Sequence, residues 1–104
     1  MSLQTAAAVQ PAIQPRFALG RVVMTRGIHA LVTTGQVNPI PLLRRHVSGD
    51  WGDMSEPDKR QNDCAVRGGD DRIMSSYKLS ESLKIWIITE WDRSVTTILL
   101  PSEY

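Results

Sequence analysis

The sequence predicts an α+β fold, with short N-terminal helices packed on a small antiparallel sheet of three to four strands. Three observations predict it. The stretch from Arg72 to Pro101 carries three segments with strand periodicity, separated by turn residues. The stretch before it carries three segments with helix start and stop signals. The helical segments precede the strands as a block instead of alternating with them, which distinguishes α+β from a parallel, doubly wound sheet.

Residues 1–15 are rich in Ala, Gln and Pro and have no periodicity, so a flexible tail is expected there and a single α+β domain over 16–104. Phe17 to Met24 reads as a short strand, placed at an edge of the sheet and paired with the C-terminal hairpin. Thr25 can cap a helix from Arg26 to Val32, with Gly35 beyond its end. Asn38-Pro39 is a second helix start, with Asn as the cap and Pro at the first helical position. Ile40, Leu43 and Val47 then share a face, with Leu42 beside them, and Gly49 stops the helix. Asp50-Trp51-Gly52-Asp53 is a loop holding a large aromatic between two carboxylates. Ser55 opens a third helix that runs to about Arg67, with Asp58 as a variant of the capping box, and Gly68-Gly69 ends it. Its apolar content is small, so it lies on the surface or turns Asn62 towards a polar partner.

The strands follow. Arg72 to Leu79 places Ile73, Ser75, Tyr77 and Leu79 on one face. Leu83 to Trp91 places Leu83, Ile85, Ile87, Thr89 and Trp91 on one face and Lys84, Trp86, Ile88 and Glu90 on the other. Both sets are apolar in the middle, which suits a central strand covered on both sides. Ser94 to Leu100 is stopped by Pro101, which has no N–H to give to a ladder. A two-residue turn at Asp92-Arg93 pairs Trp91 with Ser94, Thr89 with Thr96 and Ile87 with Ile98. A four-residue loop would shift that register.

Composition bounds the function. At 41% hydrophobic and 22% charged, the chain is ordinary for a globular protein, and no apolar run approaches the ~20 residues of a membrane span. A lone Cys64 and two His give no zinc spacing and no internal disulfide, so no metal or cofactor is expected and a reducing cytoplasm fits. Residues 1–49 carry five Arg and no other charged side chain, while 50–104 carry seven basic and eleven acidic ones. Such asymmetry can mark a nucleic-acid surface, but these Arg are spread out and not clustered into a footprint.

His46 is the most interesting titratable group. It borders an apolar helix face near the helix end, where it could serve as a general base or as a structural, half-buried His favoured by the helix C-terminus. Thr89, Arg93 and Thr96 gather at one hairpin. A helical His with Arg and hydroxyl groups on an antiparallel sheet is the layout of metal-independent ribonucleases of the barnase–colicin–RelE type, a fold-level analogy. Thr pairs across strands are equally ordinary sheet stabilisers. Trp51 could stack on a base or fold back over a small core. Asp50 and Asp53 lack the spacing of a calcium loop.

A resemblance covers roughly Gly20 to Tyr104. Arg45-His46-Val47, Gly49-Asp50-Trp51-Gly52, Asp58, Asn62, Ser76-Tyr77, Trp86, Ile88-Thr89-Glu90, the run Asp92 to Thr97, Leu99-Leu100-Pro101 and Glu103-Tyr104 carry it. On these residues the chain resembles a family of small uncharacterised bacterial proteins frequent on plasmids and other mobile elements. Trp91 and Arg26 depart from it, where Ala and Pro are usual. Some members are labelled as a modification subunit of a type I restriction enzyme. This sequence has neither the Asn/Asp-Pro-Pro-aromatic motif of a DNA methyltransferase nor the length of its cofactor domain.

Two function classes follow. The first is an accessory protein of a mobile element acting by macromolecular interaction, regulatory or anti-defence, with Trp51, Asp53, Arg45 and Arg93 as binding residues. Its partner would be a host or plasmid macromolecule, protein rather than nucleic acid, with no membrane. The second is a metal-independent ribonuclease-like toxin using His46, Thr89, Arg93 and Thr96. An open sheet edge would also allow a homodimer.

Overall fold

The structure, a computed structural model, describes residues 14–104. The tail expected over 1–15 therefore lies almost wholly outside the described residues. Strand β1 (Arg21–Met24) is followed by helices α1 (Arg26–Thr33), α2 (Pro39–Val47) and α3 (Glu56–Gly68). Strands β2 (Ile73–Ser80), β3 (Leu83–Thr89) and β4 (Val95–Leu99) come next, then a 3-10 turn at Pro101–Glu103. The fold is α+β. The sheet order is β1-β4-β3-β2, antiparallel except for the parallel pairing of β1 with β4.

The helix caps act where the sequence placed them. Thr25, Asn38 and Ser55 each accept a hydrogen bond from a backbone N–H of their own first turn, satisfying donors with no intrahelical partner. Gly69 closes α3 in the left-handed region at φ 72°, a conformation that costs glycine little.

The hairpin register is Thr89 with Thr96 and Ile87 with Ile98. Pairing stops at Thr89, however, and Trp91 to Ser94 form the loop, not Asp92-Arg93 alone. Glu90 N–H donates to the Val95 carbonyl, Arg93 N–H donates to the Glu90 carbonyl, and Arg93 takes φ 61°. A left-handed residue inside the longer loop absorbs the reversal, so the register survives the change of turn. Phe17 to Gly20 are not strand, because Gly20 sits at φ 64° against the backbone of Arg93 and Ser94 and leads the chain into β1 only at Arg21.

Two apolar clusters hold the layers together. The larger joins Ile28 and Leu42 of the helices, and Val37 between them, to Tyr77, Ile85, Ile87 and Ile98 of the sheet. The smaller joins Trp51 and Ala65 to Ile73, with Phe17, Met54 and Val66 packed around them. His46 lies between the two, its ring 5.2 Å from Phe17 and 6.0 Å from Trp51.

Candidate functional site

The residue types that suggested chemistry do meet, but deep inside the protein. Inward-facing positions on neighbouring strands line up as Ile73, Thr89 and Thr96 in one row and Ser75, Ile87 and Ile98 in the next. Helix α2 drives His46 into this surface. Its Nδ1 lies 2.6 Å from Ser75 Oγ and its Nε2 lies 2.9 Å from Thr89 Oγ1. Thr89 Oγ1 is 2.7 Å from Thr96 Oγ1, and Thr96 donates to the Leu19 carbonyl at 2.7 Å. Ser75, Thr89, Thr96 and His46 have no solvent exposure.

Counting protons fixes the direction of the chain. Each Thr hydroxyl has one proton. Thr96 gives its proton to Leu19, so it accepts from Thr89. Thr89 has then given its own, so it accepts from His46 Nε2–H. Nδ1 is left bare and accepts from Ser75. His46 is therefore the neutral Nε2–H tautomer, and burial holds its pKa down to about 3. A general base needs a substrate proton within reach. Both ring nitrogens are engaged by protein hydroxyls, and the ring has no solvent exposure.

Arg93 does not join that group. Its guanidinium donates to the carbonyls of Asp71 at 2.5 Å, Ala65 at 2.9 Å, Glu90 at 3.1 Å and Trp91 at 3.1 Å. It ties the C-terminal part of α3 and the entry to β2 to the β3–β4 loop. Phe17 lies between the two sites, with its ring near both His46 and the Arg93 guanidinium.

The remaining binding residues expected from sequence also face inward or hold the chain. Trp51 is buried, stacks on Phe17 and donates its indole N–H to Asp63. Asp53 uses its backbone N–H on the Ser76 carbonyl and its carboxylate on the Lys78 N–H at 2.9 Å. Arg45 forks onto Asp50, 2.7 Å and 3.3 Å, and lies over the Tyr77 ring at 4.4 Å. That ion pair holds the Asp50 carboxyl below its usual range and the guanidinium above its own. Tyr77 donates to the Asp50 carbonyl at 2.6 Å, and burial pushes its phenol up. Of the four, Trp51 is buried and Arg93 half-buried, while Arg45 and Asp53 stay exposed although each already holds a neighbour.

The sheet surface on the other side is more open. The Tyr104 ring packs edge-on against Trp86, and its hydroxyl accepts from Arg72 Nη1 at 2.6 Å. A shallow cavity of about 410 Å³ opens beside it, floored by Ile88 and Leu99 and rimmed by Thr25, Arg72, Glu90 and Glu103. Tyr104 is 70% exposed, and Trp91, at the tip of the β3–β4 loop, is 62% exposed. The Arg72–Tyr104 contact carried no signal in the sequence, because nothing local relates residues so far apart. Ser75 carried a detectable signal, as a polar residue in the inward register of a strand. No family model, curated protein or solved structure matches the chain.

Proposed function

We propose that this chain is a small accessory protein of mobile DNA that works by binding another macromolecule, a protein rather than a nucleic acid. The observation that carries this reading is the closed hydrogen-bond chain through His46. It gives the most reactive residue types in the sequence a structural task and leaves the exposed side chains to meet a partner. Exposed Trp91 and Tyr104, with Arg72 bonded to the Tyr104 hydroxyl, are the residue types that dominate binding interfaces. The acidic excess of residues 50–104 disfavours a phosphate backbone. The mobile-DNA context rests on the sequence resemblance. An exposed, unpaired Cys64 suits a reducing cytoplasm, and no helix among the described residues is long and apolar enough to cross a membrane.

The test uses purified wild type beside Trp91→Ser and Tyr104→Ala, matched by circular dichroism, as bait for bacterial proteins. A stoichiometric partner bound by wild type and weakened by about tenfold or more in one variant is expected, the effect of losing an aromatic anchor. Metal-independent RNA cleavage by the purified protein, lost in a folded His46→Gln variant, would overturn the proposal in favour of the ribonuclease.

A further inference from the structure

We propose that two copies of this chain pair through β1, antiparallel, so that two four-stranded sheets become one eight-stranded sheet. The inference begins with the unequal treatment of the two sheet edges. The β2 edge is blocked. Asn62 donates its amide to the Met74 carbonyl at 2.7 Å and accepts from the Met74 N–H at 3.2 Å. Ser76 N–H is taken by the Trp51 carbonyl and its carbonyl by Asp53 N–H, and Lys78 N–H by the Asp53 carboxylate. Along that edge Met74 and Ser76 have both outward backbone groups taken and Lys78 its N–H, which is how sheets avoid unwanted pairing.

The β1 edge has no such cover among the described residues. Arg21 and Thr25 donate their N–H groups to β4, at Ser94 and Ile98. In a parallel ladder alternate residues bond to the same neighbour. Val23 therefore also turns to β4, while Val22 and Met24 present N–H and C=O outwards. Their side chains are 40% and 37% exposed.

This edge fits a second copy of itself. A two-fold axis through Val23 sets Val22 of one copy opposite Met24 of the other, donor to acceptor at both ends, for four backbone hydrogen bonds. The same axis brings Val22 against Met24 on one face and Val23 against Val23 on the other, so the central cross-strand pairs are apolar. Because the β2 edge is blocked, pairing closes at a dimer and does not run on into a filament. At each end of the pairing Arg21 of one copy comes near Arg26 of the other, so like charges meet and association strengthens as salt screens them. A four-residue strand makes a small contact of the weak, transient class.

Sedimentation equilibrium and amide hydrogen exchange, from about 10 µM to about 1 mM to span a weak equilibrium, test the proposal. The mass should rise with concentration from 11.6 kDa towards twice that value, more steeply at higher salt. Amide protection at Val22 and Met24 should rise with it, while Val23 is protected at every concentration. Val22→Lys and Met24→Lys, each on an exposed edge position, should weaken association about tenfold or more, as edge charges do, without changing the melting curve. A wild type that stays monomeric throughout overturns the proposal. So does a dimer that both variants leave intact, or protection at Val22 and Met24 that does not follow concentration.

Discussion

At the scale of single residues, His46 and Arg93 show how position redefines chemistry. A His on the border of a helix face has an ordinary pKa near 6.5, but sealed among Ser75, Thr89 and Phe17 it is held near 3 and stays neutral. The folded state then binds fewer protons than the unfolded state between those values, so stability is full above pH 6.5 and falls as pH drops towards 3. The loss grows by about 1.4 kcal/mol per pH unit in that window. Urea midpoints at pH 7 and pH 5 should differ in wild type and converge in His46→Gln, which does not titrate; equal slopes would refute the assignment. Nitrogen-15 spectra of the imidazole should show the proton on Nε2. Arg93 combines a left-handed backbone with a carbonyl-binding side chain. Arg93→Ala loses those bonds and keeps the strain, while Arg93→Gly loses them and relieves it. Both should destabilise, Ala by about 1 kcal/mol more than Gly; equal melting temperatures would count against this.

At the scale of elements, the edge strand β2 depends on a helix side chain and a loop. Asn62 on α3 mimics a neighbouring strand at Met74, and the Trp51–Asp53 segment does so at Ser76 and Lys78. Gly52 makes that approach possible, at φ 72° and with a Cβ position that would collide with the Ser76 carbonyl. Asn62→Ala leaves the Met74 groups unsatisfied and should cost about 1–3 kcal/mol. It should also raise light scattering on heating, because it uncovers a strand edge. Gly52→Ala should destabilise more than the same change at Gly35, where φ is also positive but the space is open. Thermal melts of the two variants decide it.

At the scale of the whole molecule, the last residues fasten the first helix. Glu103 accepts from the Gly27 and Leu100 N–H groups, each at 2.9 Å, and from the Thr25 hydroxyl, which holds its carboxyl below the usual range. The last residues thus cap the first helix. Glu103→Gln should speed hydrogen exchange at Gly27 and leave β3 unaffected. Faster exchange throughout would mean a global effect instead. The anchored C-terminal segment also keeps Tyr104 over Trp86.

The α+β class, the three helices with their caps and the β3–β4 register were legible because each rests on local signals. A capping hydroxyl, a Pro or Gly at a helix end and an alternation of side chains act within a few residues of where they stand. Asn62 announced itself in the same way, as a polar residue on the face that a thin helix had to bury. The parallel direction of β1, the Arg72–Tyr104 contact and the tasks of His46, Trp51, Asp53 and Arg93 were decided only by tertiary structure. The sequence named the groups able to donate and accept, but hydrogen bonds and burial depend on which partners the fold brings within about 3 Å. Those partners are set by packing across the chain and not by neighbours along it.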